Sequence, residues 1–155
     1  MINKTESLAG LDMELEQEEA TEESKVVSYE EAKIKRKPFH FWTVAGVDHK
    51  LKLTTSMIVK LENKYGTNVM NLIMTDGTPP LSVMLTVAQA ALAPWEHKTD
   101  IAKVYALYDK WLEEGGSQTE FLTKVILPTM AVSGFFTGSQ RETVEKAVEE
   151  AEMLG

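Results

Sequence analysis

The chain contains no cysteine. That excludes a disulfide framework and any thiolate-ligated metal. Histidine is scarce: His40, His49 and His97 are the only three, and they form no compact ligand cluster. Long apolar runs are missing too. Thr, Gln, Lys or Pro interrupts each one well before the ~20 residues that a membrane-spanning helix needs. The first ten residues lack the basic region and apolar core of a secretion signal. Positive charge is in deficit, with 16 Lys and Arg against 24 Asp and Glu and a net charge of -8. Such a chain is repelled by phosphate backbones, and its one basic run, Lys33–Lys37, is short. These absences predict a protein that stays in the cytoplasm where it is made. They predict no cofactor, no metal, no nucleic acid and no membrane.

Catalytic constellations are missing as well. Gly115-Gly116 has no preceding strand and no following Lys-Ser/Thr, so it is no phosphate loop. Ser117 and Ser133 have no evident His/Asp partners. Asp109 and Glu113 have the spacing of a carboxylate pair, but they fall at a wet helix end. An enzyme would require His49, Asp109 and Glu113 to converge on a pocket.

Three regions are expected. Residues 1–37 form an acidic, flexible N-terminal tail. Residues 1–31 hold ten acids against Lys4 and Lys25, and Leu8, Leu11 and Leu15 offer only a marginal helical stripe. Residues 38–138 form a hairpin-plus-helix core domain. Residues 139–155 form a peripheral helix with a thin apolar stripe. The fold class is mainly α, with an N-terminal β-hairpin packed on the helices.

Within the core region, Phe39–Leu53 reads as two strands. FHFWTV is aromatic and β-branched, Ala45-Gly46 supplies a tight turn, and Val47, His49, Leu51 and Leu53 alternate with polar residues. A short helix follows from about 55 to 65, capped by Thr54-Thr55-Ser56 and closed by Gly66. Asn68–Leu72 continues as a short helical segment. Thr78 and Pro79 are expected to start the apolar helix Leu81–Leu92, with Pro79 near its first position. Pro94 stops it, and Trp95 closes the core edge. Thr99 or Asp100 caps a helix that buries Ile101, Val104, Tyr105, Tyr108, Trp111 and Leu112. Gly115-Gly116 breaks the chain, and Ser117–Glu120 is a capping box. Pro128 should bend or end the next helix near Leu127. A second capping box is expected at Ser139–Glu142.

Several ordered segments resemble one family: LTTSMIVKLENKYGTNVMNLI, PPLSVMLTVAQAAL, LYDKWLEEGGSQTEFLTKVILP and SGFF. Together, from Phe39 to Phe136, they look like the tail assembly chaperones of long-tailed phages and prophages of Gram-positive bacteria. The resemblance implies a non-enzymatic protein of the host cytoplasm, absent from the finished virion. It implies a tape measure protein as partner, held soluble while the tail tube protein polymerises around it. It also implies that a ribosomal frameshift appends a second domain to some copies. Self-association, including with that extended form, fits the wide apolar helix faces. The alternative is a structural tail component, a connector or tube-associated subunit retained in the virion. A partner for a long helical chain should present apolar helical surface. The candidates are Leu81, Met84, Leu85, Trp95, Tyr108, Trp111, Phe135 and Phe136. The resemblance transfers no catalytic residue.

Overall fold

A computed structural model describes residues 37–154. The predicted acidic tail lies outside the described residues, apart from Lys37. Strand β1 (His40–Val44) pairs antiparallel with β2 (Val47–Leu51). Helices α1 (Thr55–Tyr65), α2 (Val69–Ile73), α3 (Leu81–Leu92) and α4 (Ile101–Glu113) follow. A longer helical run then passes through α5 (Gln118–Glu120), a π segment (Phe121–Ile126) and α6 (Leu127–Val132). Helix α7 (Gly138–Leu154) comes last. The domain is mainly helical with the hairpin packed on the helices, as the periodicities predict.

Val44 and Val47 flank the hairpin turn in register. Ala45 (φ 52°) and Gly46 (φ 76°) both lie in the left-handed region, which a two-residue primed turn requires. Glu114, just past α4, accepts the Ala45 N–H at 2.6 Å. Trp42, Val44, His49 and Leu51 turn inward, and Leu53 continues that face. Val47 does not: beside the turn it is 56% exposed.

Helix α3 is central. Met84, Val87, Ala91 and Leu92 are sealed from solvent, and α3 meets β2, α1, α2, α4 and the π segment. Burying a Met, Val or Leu side chain in this way contributes ~1.5–3 kcal/mol. The start of α3 differs from expectation. Pro80, not Thr78, occupies the N-cap, and its carbonyl accepts from Val83 and Met84 at 3.1 and 3.2 Å. The cause is the second proline: a residue before Pro is pushed out of the helical region, so Pro79 cannot begin the helix.

Asp100 and Ser117 cap largely as expected, and Asn68 adds a cap beyond those expected. Asn68 accepts from Asn71 at the head of α2, and Asp100 accepts from Lys103 at the head of α4, each at 2.8 Å. Ser117 Oγ accepts from the Glu120 N–H at 3.2 Å, while Glu120 reaches back to the Ser117 hydroxyl instead of its N–H. Thr54 stands at the N-cap of α1 without a side-chain cap bond. The last box is displaced. Thr137 and Gln140 form it, through Gln140 N–H to Thr137 Oγ1 (3.3 Å) and Thr137 N–H to Gln140 Oε1 (3.0 Å). Thr137-Gly138-Ser139-Gln140 fits the S/T-x-x-E/Q pattern two residues ahead of Ser139–Glu142.

Pro128 neither ends nor breaks its helix. The preceding turn widens to the π form, in which the Leu127 N–H reaches the Leu122 carbonyl five residues back. The carbonyl that an α-helix would pair with residue 128 belongs to Lys124. His40 Nε2 on β1 bonds it at 2.7 Å. A carbonyl only accepts, so Nε2 carries the proton. A second tie runs from the Leu53 N–H to Ser133 Oγ (2.9 Å), whose hydroxyl donates to the Thr129 carbonyl (2.6 Å).

Candidate functional site

Helices α3 and α4 leave an open groove between them. Leu81, Ser82 and Leu85 of α3 face Tyr105, Tyr108, Asp109 and Leu112 of α4 across a volume of about 540 Å³. Leu85 and Tyr108 are buried and form its floor. Leu81 is half-buried. Tyr105 (46% exposed) and Leu112 (38%) stand in solvent at the rim. Ser82 and Asp109 add the polar groups.

Local helix geometry sets this arrangement. The apolar face expected of α4 spreads over roughly a third of the helix circumference at 3.6 residues per turn. Val104 and Tyr108, near its middle, go inward, and Trp111 is half-buried on one side. Tyr105 and Leu112, seven residues apart, fall on the other side and stay uncovered. Their expected place in the core is therefore corrected. Hydropathy puts Tyr105 and Leu112 on the same stripe as Val104 and Tyr108, and it cannot tell an uncovered edge from core.

Burial pushes the Tyr108 phenol above its ordinary pKa, and the Asp109 carboxylate beside it adds to the shift. The phenol stays neutral at physiological pH. The groove thus presents aliphatic and aromatic carbon with few polar contacts. It suits an apolar helical stripe better than a charged ligand.

Of the expected contact residues, Leu81, Leu85 and Tyr108 meet in this groove. Met84 is fully enclosed in the core. Trp111 joins Trp42, Tyr108 and Phe121 in an aromatic cluster, with Phe121 at 5.3, 5.2 and 5.7 Å from Trp42, Tyr108 and Trp111. Edge-to-face pairs of this kind contribute ~0.5–1.5 kcal/mol each beyond burial. Phe136 is buried, and Phe135 packs half-buried against the core. Met84, Trp111, Phe135 and Phe136 therefore serve internal packing, wholly or in large part. Trp95 sits elsewhere, edge-on to Phe39 at 4.8 Å and 37% exposed.

The residues that an enzyme would have to converge do not meet in the groove. Its lining includes Asp109 but neither His49 nor Glu113. His49 is buried beneath the hairpin, where Nδ1 donates to the Glu96 carboxylate; Lys103 Nζ lies 3.5 Å from the other Glu96 oxygen. This ties β2 to the loop between α3 and α4. Among the described residues no group of three or more His, Asp or Glu could hold a metal ion. None of the described helices is long and apolar enough to cross a membrane.

Comparison with protein-family models, with curated proteins and with solved structures finds no match.

Proposed function

We propose that this chain is a non-enzymatic tail assembly chaperone that holds a phage tape measure protein through the α3–α4 groove. The observation that carries the reading is the open apolar groove, with Tyr105 and Leu112 uncovered at its rim. The occupant is an amphipathic helical segment of the tape measure protein, laying an apolar stripe over Leu85 and Tyr108. The ordered family-like segments from Phe39 to Phe136 support the same reading. The acidic balance, -8 overall, helps keep such a complex from aggregating. The work is done in the host cytoplasm, and self-association or pairing with a frameshift-extended form belongs to the same proposal.

Co-expression with the tape measure gene of the same phage or prophage tests it. The tape measure protein should become soluble and co-purify. Tyr105→Glu with Leu112→Glu should abolish capture without changing the circular dichroism, because both side chains already stand in solvent. Unchanged capture by that variant removes the groove from the reading. No capture by the unaltered chain removes the chaperone. Mass spectrometry of purified virions separates the alternative, since a retained tail component would be found there at stoichiometric level.

A further inference from the structure

A second surface has a different chemistry. The outward side of the hairpin carries Phe41, 48% exposed and paired in register with Lys50. Lys50 Nζ lies 4.8 Å from the centre of the Phe39 ring, and Lys52 Nζ lies 5.8 Å from it. Trp95 meets Phe39 edge-on at 4.8 Å and is itself 37% exposed. None of these five residues lines the α3–α4 groove.

The lysines stand out because the chain is acidic. With a net charge of -8, carboxylates outnumber bases, yet neither Lys50 nor Lys52 has one within ion-pair distance among the described residues. The nearby acids are engaged elsewhere. Glu96 is taken by His49 and Lys103, and Asp48 accepts from Thr43 at 2.5 Å. The ammonium groups instead lie over an aromatic ring, a contact of ~0.5–1 kcal/mol at exposed sites. That contact leaves their charge available and fixes the ring beneath it.

We propose that this face binds an acidic segment of a partner polypeptide, with carboxylates on Lys50 and Lys52 and an apolar side chain against Phe41 and Trp95. Positive charge without an ion-pair partner among the described residues, beside exposed aromatic carbon, is complementary to that chemistry. A single-stranded nucleic acid is the less favoured occupant. Lysine lies over Phe39 and Trp95 packs against it in a T-shaped pair, which leaves only the exposed parts of Phe41 and Trp95 for stacking. A phosphate chain also carries a charge at every nucleotide into the field of an acidic protein, whereas a short acidic segment brings a few charges directly to the lysines.

Fluorescence anisotropy with the full chain tests the assignment, using three labelled probes. One is an acidic peptide with a central phenylalanine between paired glutamates. The second replaces those glutamates by lysines. The third is an oligothymidylate of equal length. The acidic peptide should bind best, with affinity falling as ionic strength rises. Lys50→Glu with Lys52→Glu should weaken it by about tenfold or more while thermal melting stays near that of the unaltered chain. Phe41→Ser should weaken it at every ionic strength. Equal binding of the acidic and basic peptides, or full affinity in the charge-reversed variant, overturns the proposal. Tighter binding of the oligothymidylate overturns it in favour of nucleic acid. Concentration-dependent self-association that charge reversal abolishes, without peptide binding, reassigns the face to a second copy of the chain. Loss of groove-dependent capture in the Tyr105/Leu112 variant leaves this result untouched, so the two surfaces fail separately.

Discussion

His40 Nε2 donates to the Lys124 carbonyl at 2.7 Å, the oxygen that an α-helix would pair with residue 128, where Pro128 has no N–H. A histidine on the first strand therefore supplies the donor that a proline withholds. Replacing His40 by Ala should destabilise the domain by ~1 kcal/mol. The loss should shrink in a Pro128→Ala background, where the helix can supply its own donor. A double-mutant cycle in urea measures the coupling. Additive losses would show that the two residues act independently.

Gly116 faces the Trp111 ring, and a Cβ built there would lie 2.5 Å from its atoms. The ring is locked among Trp42, Tyr108 and Phe121, so it cannot swing away cheaply. Gly116→Ala should cost ~1–3 kcal/mol, the usual range for overpacking. A lowered melting temperature with a disturbed near-ultraviolet aromatic signal is the expected pair of results. A melt matching that of the unaltered chain would falsify the close approach.

Ala45 holds φ 52°, a left-handed conformation that costs an alanine roughly 1–2 kcal/mol. Ala45→Asn makes the turn Asn-Gly, the pair best suited to it. The substitution should raise stability by up to ~1 kcal/mol, seen as a higher urea midpoint with an unchanged slope. Its backbone N–H remains available to Glu114, so the tie to the end of α4 is kept.

Lys124, hydrogen-bonded to Glu120, holds the Glu120 carboxyl below its ordinary value near 4.5, and the Ser117 hydroxyl adds to this. A depressed folded-state pKa stabilises the fold above the unfolded value and stops doing so as pH falls through the folded one. The stability difference between the unaltered chain and Glu120→Gln should therefore be present at neutral pH and fade in acid. Melting curves of both proteins across that range test it. A difference constant with pH would mean that the cap, not the charge, carries the effect.

Much of this fold is legible in the sequence because it rests on local signals. The Ala45-Gly46 turn, the span of α3 and the Ser117 cap each follow from a few adjacent residues. The rest depends on distant contacts or on competition between neighbouring motifs. Pro128 reads as a bend or an end, and the π turn before it together with a donor 84 positions away makes the continuous helix hospitable to it. Gly116 reads as a break, but its second role as a seat for Trp111 needs the folded ring. Ser139 competes with Thr137 for the last cap because their two overlapping boxes match the pattern equally well. The groove is half legible. Leu81, Leu85 and Tyr108 stand out as contact residues, but Tyr105 and Leu112 read as core, because hydropathy cannot say which edge of a stripe remains uncovered.

The Ser133 hydroxyl links Leu53 to the far end of the core, across 80 positions. For a mainly helical chain this is a long reach. As the polypeptide leaves the ribosome, the hairpin emerges early and has little to cover it, and a lone hairpin is marginal in water. Helices α3 and α4 cover part of it first, but its contacts with the π segment and α6, and the tie from Leu53 to Ser133, wait until the stretch from Phe121 to Phe136 is free. The final closure is thus a late event in synthesis, and folding should be slower than in a helical bundle whose contacts are all between neighbours.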